Sequence, residues 1–179
     1  LSNPVSKIID KPKEDFTRDD LIKVIQAKEI ERITFHYTAI DGKIKELKLP
    51  VAGRTQAEKI LTDGERVDGS SLFSGLVDHS LSDLYVIPVY KSAFLNPFDK
   101  GSLDFICRFF TKEGERAPFT LDNIVYNAYE KFKEKTGMEL YALGELEFFL
   151  INEKESSLYP AIPQKGYHSS APFFKRAHL

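Results

Sequence analysis

Two glutamates, Glu145 and Glu147, stand two residues apart inside the apolar segment Leu143–Leu150. The apolar neighbours are typical of a buried β-strand, on which alternate side chains share a face. Two carboxylates about 7 Å apart on one strand face would suit one or two hard divalent cations, which take oxygen ligands. Two alternatives stay open. Both acids could pair with Lys or Arg from a neighbouring element, or the strand could lie at an edge with one face in water.

A second candidate for chemistry is the segment Val67–Ser71, in which Asp68 precedes a glycine and two serines. Such a segment favours a tight turn whose carboxylate and backbone N–H groups can converge on a small polar ligand. The alternative is an ordinary Asx turn that leaves a helix and binds nothing. The serines show no sign of nucleophilic activation, because spacing alone does not establish a triad with Asp78 and His79.

Regular elements must position these groups, and hydrophobic periodicity predicts them. Thr17 and Asp20 fit a helix cap, and the buried stripe Leu21, Ile22 and Ile25 follows. The further predicted elements are a hairpin turning at Asp41–Gly42, a short helix ending at Gly64, strands near Leu84–Val89 and Leu103–Phe110, and a helix from about Leu121 that ends at Gly137.

The same periodicity predicts which side chains are buried. In the first hairpin strand, Ile33, Phe35 and Tyr37 alternate inward, which directs His36 to solvent. The last predicted helix carries residues at the spacing of a core stripe, namely Leu121, Ile124, Val125, Tyr126, Ala128, Tyr129 and Phe132. We expect His168 and His178, near the end of the chain, to be surface imidazoles rather than ligands.

Composition narrows the class of protein. The chain has 179 residues, of which 42% are hydrophobic and 29% charged, with a net charge of -2. These values predict a globular protein and give no reason to expect nucleic acid as a partner. We expect no membrane span and no signal peptide. Cys107 is the single cysteine, which favours a reducing cytoplasm over a disulfide framework.

The order of elements predicts an α+β fold in which a helix packs on a mixed sheet. We expect a flexible N-terminal arm over residues 1–16 and a first domain over residues 17–112. Residues 113–179 then form the first helix and strand of an incomplete α/β domain, because one helix and one strand cannot bury both faces of a sheet.

Several segments together resemble the N-terminal part of the glutamine synthetase family over roughly residues 18–151. They occur in the family's order and at about its intervals. The segments are Asp68-Gly69-Ser70-Ser71, Ser82-Asp83-Leu84 with Ile87-Pro88, Asn96-Pro97-Phe98, and Gly144 to Leu150. The resemblance implies a small β-grasp domain followed by the opening of the catalytic domain.

What the resemblance implies about function is specific. Such enzymes are ATP-dependent ligases that join glutamate and ammonia through γ-glutamyl phosphate. Glu145 and Glu147 match acids that bind Mg²⁺ or Mn²⁺, and Asp68 matches a catalytic aspartate that binds ammonium in a neighbouring subunit's site. Ser71 matches a substrate-binding serine of the same loop. The implied assembly is a ring-like homo-oligomer.

Departures from the family's pattern keep two alternatives open. Val67 stands where an aromatic residue or Leu is usual, and Arg108 replaces an acidic residue after Cys107. These differences are compatible with a γ-glutamyl–amine ligase. A non-catalytic β-grasp module for binding or regulation is the other alternative. Since the rest of the family's catalytic domain is not in this sequence, we expect the 179-residue chain alone to be inactive.

Overall fold

The computed structural model describes residues 3–77 and 82–147. The chain divides into two compact units, Leu1–Leu140 and Tyr141–Leu179, and each is described by itself. Asp78 and His79 lie outside the described residues. So do Phe148–Leu150 and the two histidines near the end of the chain.

All regular elements of the described residues belong to the first unit. The helices are α1 (Pro4–Ile9), α2 (Arg18–Ala27), α3 (Arg54–Asp63), α4 (Gly69–Leu72) and α5 (Leu121–Thr136). The strands are β1 (Arg32–Thr38), β2 (Ile44–Pro50), β3 (Glu65–Asp68), β4 (Asp83–Pro88), β5 (Phe94–Leu95) and β6 (Ser102–Thr111).

The strands form one mixed sheet in the order β2-β1-β6-β4-β3, with β5 paired to β6. Strands β1 and β6 are parallel, and the other pairs are antiparallel. Alternate residues of β1 and β6 point into the core, and α2 and α3 bury their apolar stripes in the same core. This is the α+β architecture that the order of elements predicts. Strand β3 and helix α4 lie between Gly64 and Leu84, where no helix or strand was predicted.

The start of α2 confirms the predicted cap. The Thr17 side chain accepts a hydrogen bond from the Asp20 backbone N–H, and the Asp20 carboxylate accepts one from Thr17 N–H at 3.1 Å. Lys11 adds an ion pair to the same carboxylate at 2.8 Å. The Lys11 and Thr17 hydrogen bonds lower the pKa of Asp20 from 3.8 to about 2. A short polar pattern was sufficient to predict this helix start.

The prediction of a flexible N-terminal arm is wrong for residues 3–16. Helix α1 begins after Asn3, and its Val5 side chain is completely buried in the core. The Asn3 amide donates a hydrogen bond to the Ala93 carbonyl at 2.7 Å, and Phe16 is also buried. Two apolar anchors in a polar segment are enough to hold it on the domain.

Helix α5 is attached through its first turn. The Asn123 side chain is fully buried, and its amide donates hydrogen bonds to the carbonyls of Phe109 (2.8 Å) and Ala117 (3.0 Å). Each of those bonds satisfies a buried polar group that would otherwise be costly. The helix ends as predicted at Gly137, which has the left-handed φ of 69°.

The predicted core stripe of α5 is wrong for most of the helix. Ile124 is 48% exposed, Val125 is 69% exposed and Phe132 is 40% exposed. Periodicity reports an apolar face, but burial also requires an element to cover that face. Among the described residues of the first unit, nothing covers it.

The strand predicted over Leu143–Leu150 is also not observed in its described part. Residues 141–147 have no helix or strand assignment, and Leu143 and Leu146 are 90% and 87% exposed. A strand needs a neighbour to satisfy its backbone N–H and C=O groups. Within residues 141–147, the described part of the second unit, no second segment is present to pair with it.

Candidate functional site

Asp68 lies at the end of β3, the edge strand of the sheet, opposite Asp83 of β4. We call residues Asp68–Phe73 the Asp68 loop. The Asp68 side chain is exposed, and Asp68 is the N-cap residue of the short helix α4. The strand end therefore presents an acid to solvent at a defined point of the domain.

The carboxylate of Asp68 is held by its own neighbours. Ser70 donates to Oδ1 through its backbone N–H (2.9 Å) and its hydroxyl (2.7 Å), and the Ser71 hydroxyl donates to Oδ2 at 2.5 Å. The Ser71 and Ser70 hydrogen bonds lower the pKa of Asp68 from 3.8 to about 2. The carboxylate therefore stays ionised throughout the neutral range. The hydrogen bond from Ser70 N–H is of the Asx type that the sequence left open as the alternative, but it begins helix α4 instead of ending a helix.

Gly69 makes this loop possible. Its N–H donates to the Ser82 carbonyl at 2.6 Å. A Cβ at this position would lie 2.7 Å from Leu84 Cδ1 and 2.9 Å from the Ser82 carbonyl oxygen. A side chain would thus push the loop away from β4, so the position requires glycine.

The far end of the Asp68 loop is fixed by an aromatic anchor. Phe73 is 1% exposed and packs edge-to-face against Phe109 (5.1 Å between ring centroids) and Phe119 (5.8 Å). The carboxylate is consequently exposed but fixed, between a β-strand and a core side chain. A fixed ionised carboxylate at a surface can bind a cation or hydrogen-bond donors with little loss of side-chain entropy.

Glu145 and Glu147 lie in the second unit, in the exposed segment 141–147. Neither forms an ion pair with another described residue, so the alternative of two paired acids receives no support from that part of the chain. No group of three His, Cys, Asp or Glu side chains suited to a metal ion occurs among the described residues. Two carboxylates supply only part of the six oxygen ligands that Mg²⁺ takes, so water, phosphate or other protein oxygens would have to complete such a site.

Sequence reasoning missed a second polar cluster, formed by His36 and Asp104. The expectation that His36 faces solvent is wrong, because its side chain is 12% exposed and its Nε2 lies 2.7 Å from Asp104 Oδ2. The ring stacks on Phe94 at 5.8 Å between centroids. Strand β5, which carries Phe94, covers this face, and a two-residue strand leaves almost no periodic signal.

Asp104 is completely buried and accepts two further hydrogen bonds. Asn96 donates its side-chain amide at 2.8 Å, and Ser102 donates its hydroxyl at 2.5 Å. Thr34 and Ser102 share a 2.7 Å hydrogen bond beside them. We call these five residues the His36–Asp104 cluster. One signal in the sequence could have indicated this cluster. Asp104 lies between Leu103 and Phe105 in a predicted buried strand, and a buried acid needs hydrogen-bond or charged partners.

The fold and the family match together define the class of protein. The mixed sheet with helices packed against it has the α+β character of a β-grasp domain. The family model described as the glutamine synthetase β-grasp domain matches residues 29–112. Over these residues, the chain belongs to the glutamine synthetase family.

Relatives and solved structures agree with this family. The chain is 31% identical over 168 residues to glutamine synthetases of Staphylococcus epidermidis and Staphylococcus aureus. The match covers 90% of the chain, and the chain spans 36% of the length of those relatives.

No helix among the described residues is both long enough and apolar enough to span a membrane.

The fold is similar to that of solved members at low identity. A cryo-electron microscopy structure of Plasmodium falciparum glutamine synthetase has a TM-score of 0.56 and 18% identity, covering 67% of this chain and 23% of that one. A structure of GmaS without ligand has the same TM-score of 0.56 and 15% identity, covering 64% of this chain and 26% of that one. At these identities the likeness concerns the fold alone.

Proposed function

We propose that this chain is part of an ATP-dependent glutamate–ammonia ligase. In the whole enzyme, ATP phosphorylates the γ-carboxylate of glutamate. Ammonia then forms the new C–N bond, and the C–O bond to phosphate breaks. The products are glutamine, ADP and phosphate. The observation that carries the proposal is the fixed, ionised and exposed carboxylate of Asp68.

We assign Asp68 the binding of ammonium, with Ser71 as the residue that holds the carboxylate in place. A carboxylate with a pKa of about 2 is ionised at neutral pH and attracts a cation. The same low pKa makes it a weak base, so its main contribution is to bind the positive charge. Because the Asp68 loop projects from a sheet edge, we propose that it acts in the site of a neighbouring subunit, within a ring-like homo-oligomer.

We also assign Glu145 and Glu147 as two ligands of a divalent metal ion, Mg²⁺ or Mn²⁺. When bound, such an ion neutralises charge on the transferred phosphoryl group. The two acids are exposed and have no ion pair among the described residues, so they are free to coordinate a cation.

The single cysteine, Cys107, is buried and burial raises its thiol pKa. An unreactive thiol and the use of ATP support a cytoplasmic location.

The role of Asp68 is tested by steady-state kinetics of the full-length enzyme. We expect Asp68→Asn to lower kcat/KM for ammonium by about 100-fold, the usual effect of losing one charge-stabilising group. Asp83→Asn is the matched control, because Asp83 is the exposed acid directly opposite on β4. Similar losses in both variants, or none in Asp68→Asn, would refute the assignment.

The metal assignment is tested by calorimetry of the full-length protein with Mn²⁺ and ATP. We expect Glu145→Gln and Glu147→Gln each to weaken metal binding at least about tenfold. Glu139→Gln, which removes an exposed acid paired to Lys133, should bind as the wild type does. Equal affinities in all four proteins would remove Glu145 and Glu147 from the site. The 179-residue chain alone should show no γ-glutamyl transfer, because two carboxylates do not complete a metal site.

A further inference from the structure

A second candidate binding region lies at the N-terminal side of the first unit. A cleft of about 780 Å³ is bordered by helix α1, the turn Lys13–Asp15 and the turn Tyr90–Ser92. The charged residues that line it are Lys7, Asp10, Lys11, Lys13 and Lys91. We call it the lysine cleft. None of its lining residues takes part in the ligase chemistry proposed above.

Three of the four lysines that line the lysine cleft form no ion pair among the described residues. Lys11 is neutralised by its 2.8 Å ion pair with the buried carboxylate of Asp20. Lys7, Lys13 and Lys91 have no acidic partner within ion-pair distance in the part of the chain that the structure describes. The lining contains one acid, Asp10, and the bordering turn also carries Glu14 and Asp15.

The walls of the lysine cleft are held in place by buried groups. Helix α1 is anchored by Val5 and by the 2.7 Å hydrogen bond from Asn3 to the Ala93 carbonyl. In the turn Tyr90–Ser92, the Ser92 hydroxyl donates to the Val89 carbonyl at 2.6 Å and accepts the Ile106 N–H at 2.9 Å. The lysines therefore extend from a preformed frame, as in most small-molecule sites.

We propose that the lysine cleft binds a small anion carrying two or more linked phosphate groups. The volume of about 780 Å³ lies in the range of ligand pockets. Lysine ammonium groups bind phosphate oxygens as mobile point charges and require no fixed fork geometry. Because Lys7, Lys13 and Lys91 come from α1 and from two separate turns, we expect a chain of linked phosphates, rather than a single phosphate, to contact all three.

The experiment is titration calorimetry of the 179-residue chain with tripolyphosphate at constant ionic strength. We expect saturable binding at one site per chain. The variant Lys7→Gln/Lys13→Gln/Lys91→Gln should bind at least about tenfold more weakly, since three exposed charge contacts are removed. The matched control is Lys43→Gln/Lys59→Gln/Lys112→Gln, which loses the same charge from exposed lysines outside the cleft and should stay within about twofold of the wild type.

Further arms identify the phosphate source and locate the site. Equal affinities for ATP and tripolyphosphate support recognition of the phosphate chain, and tighter binding of ATP supports a nucleotide. Tripolyphosphate should also protect Lys7, Lys13 and Lys91 from chemical acetylation. Absence of saturable binding to the wild type, or equal losses in both triple variants, would overturn the proposal. Neither result would affect the ligase assignment, which depends on Asp68, Glu145 and Glu147.

Discussion

Two carboxylates in this domain use the same chemistry in opposite environments. Asp68 and Asp104 are each held by a serine hydroxyl at 2.5 Å together with further donors. All donors to Asp68 come from Ser70 and Ser71, and the group is exposed. Asp104 is fully buried, and its donors include His36, which is 68 residues away in sequence.

The two environments imply different roles: the exposed carboxylate of Asp68 can bind a ligand, whereas the buried carboxylate of Asp104 stabilises the fold. The bonds to Asp68 leave it open to solvent, so it can still receive a cationic ligand. The bonds to Asp104 are formed inside the domain, where they join β1, β6 and the segment before β6. A buried acid contributes to stability only while its partners remain, because an unpaired one is costly.

The largest expected effect concerns the His36–Asp104 cluster. Asp104→Ala leaves His36, Asn96 and Ser102 without their acceptor in a buried setting, so the free energy of unfolding should fall by about 3 kcal/mol. Urea denaturation of the 179-residue chain measures this loss. Asp83→Ala removes an exposed acid and is the control, with a change below about 0.5 kcal/mol. Equal free energies of unfolding for Asp104→Ala and Asp83→Ala would show that the buried hydrogen bonds of Asp104 do not stabilise the fold.

A smaller effect is expected where the Asp68 loop touches the sheet. Gly69→Ala places a methyl group 2.7 Å from Leu84 Cδ1, and we expect a loss of about 2 kcal/mol from this overpacking. Gly144→Ala is the control, because a Cβ there meets no atom within 4 Å and Gly144 caps no helix. A Gly69→Ala protein as stable as the control would mean that the loop moves freely, contrary to the fixed carboxylate described above.

The smallest effect is a titration shift confined to one exposed group. Ser71→Ala removes the largest cause of the low pKa of Asp68, so that pKa should rise from about 2 toward 3.8. Because the pKa in the folded chain lies below its ordinary value, the hydrogen bonds favour folding above about pH 4. Their contribution is lost as the pH falls from about 4 toward 2. In Ser71→Ala the contribution should be smaller, and its loss should be complete at a higher pH.

Carboxyl chemical shifts followed by NMR against pH measure the titration of Asp68. Ser74→Ala is the matched control, since Ser74 is an exposed serine of the same region with no hydrogen bond to Asp68. An unchanged titration in Ser71→Ala would show that the Ser71 hydroxyl does not hold the carboxylate. A shift in both variants would point to a general change in the loop.

Local patterns predicted the parts of the fold that depend on near neighbours in sequence. The Thr17 cap and the end of α5 at Gly137 each involve residues within three or four positions, and the structure confirms both. The hairpin of β1 and β2 was predicted for the same reason, since alternation and a turn residue are local. The sequence also carried the family resemblance, including Asp68 and Ser71.

Interpretations that needed a distant partner were less successful. His36 was expected to face solvent because alternation describes one strand and says nothing about β5, which covers it. Ile124 and Val125 were expected in the core because they follow helical spacing, although nothing among the described residues of their unit covers them. The strand around Glu145 and Glu147 failed in its described part for lack of a pairing neighbour.

The amino-acid sequence by itself determined the helix caps, the turns, the α+β class and the ionised Asp68 turn, because each depends on short-range sterics and hydrogen bonds. Only the tertiary structure decided which apolar faces are covered, that Asp104 is buried against His36, and that the N-terminal segment borders a lysine cleft. Those outcomes depend on contacts between residues far apart in the chain. Burial is favourable only when two surfaces meet and both lose contact with water, and one segment of sequence describes only one of the two surfaces.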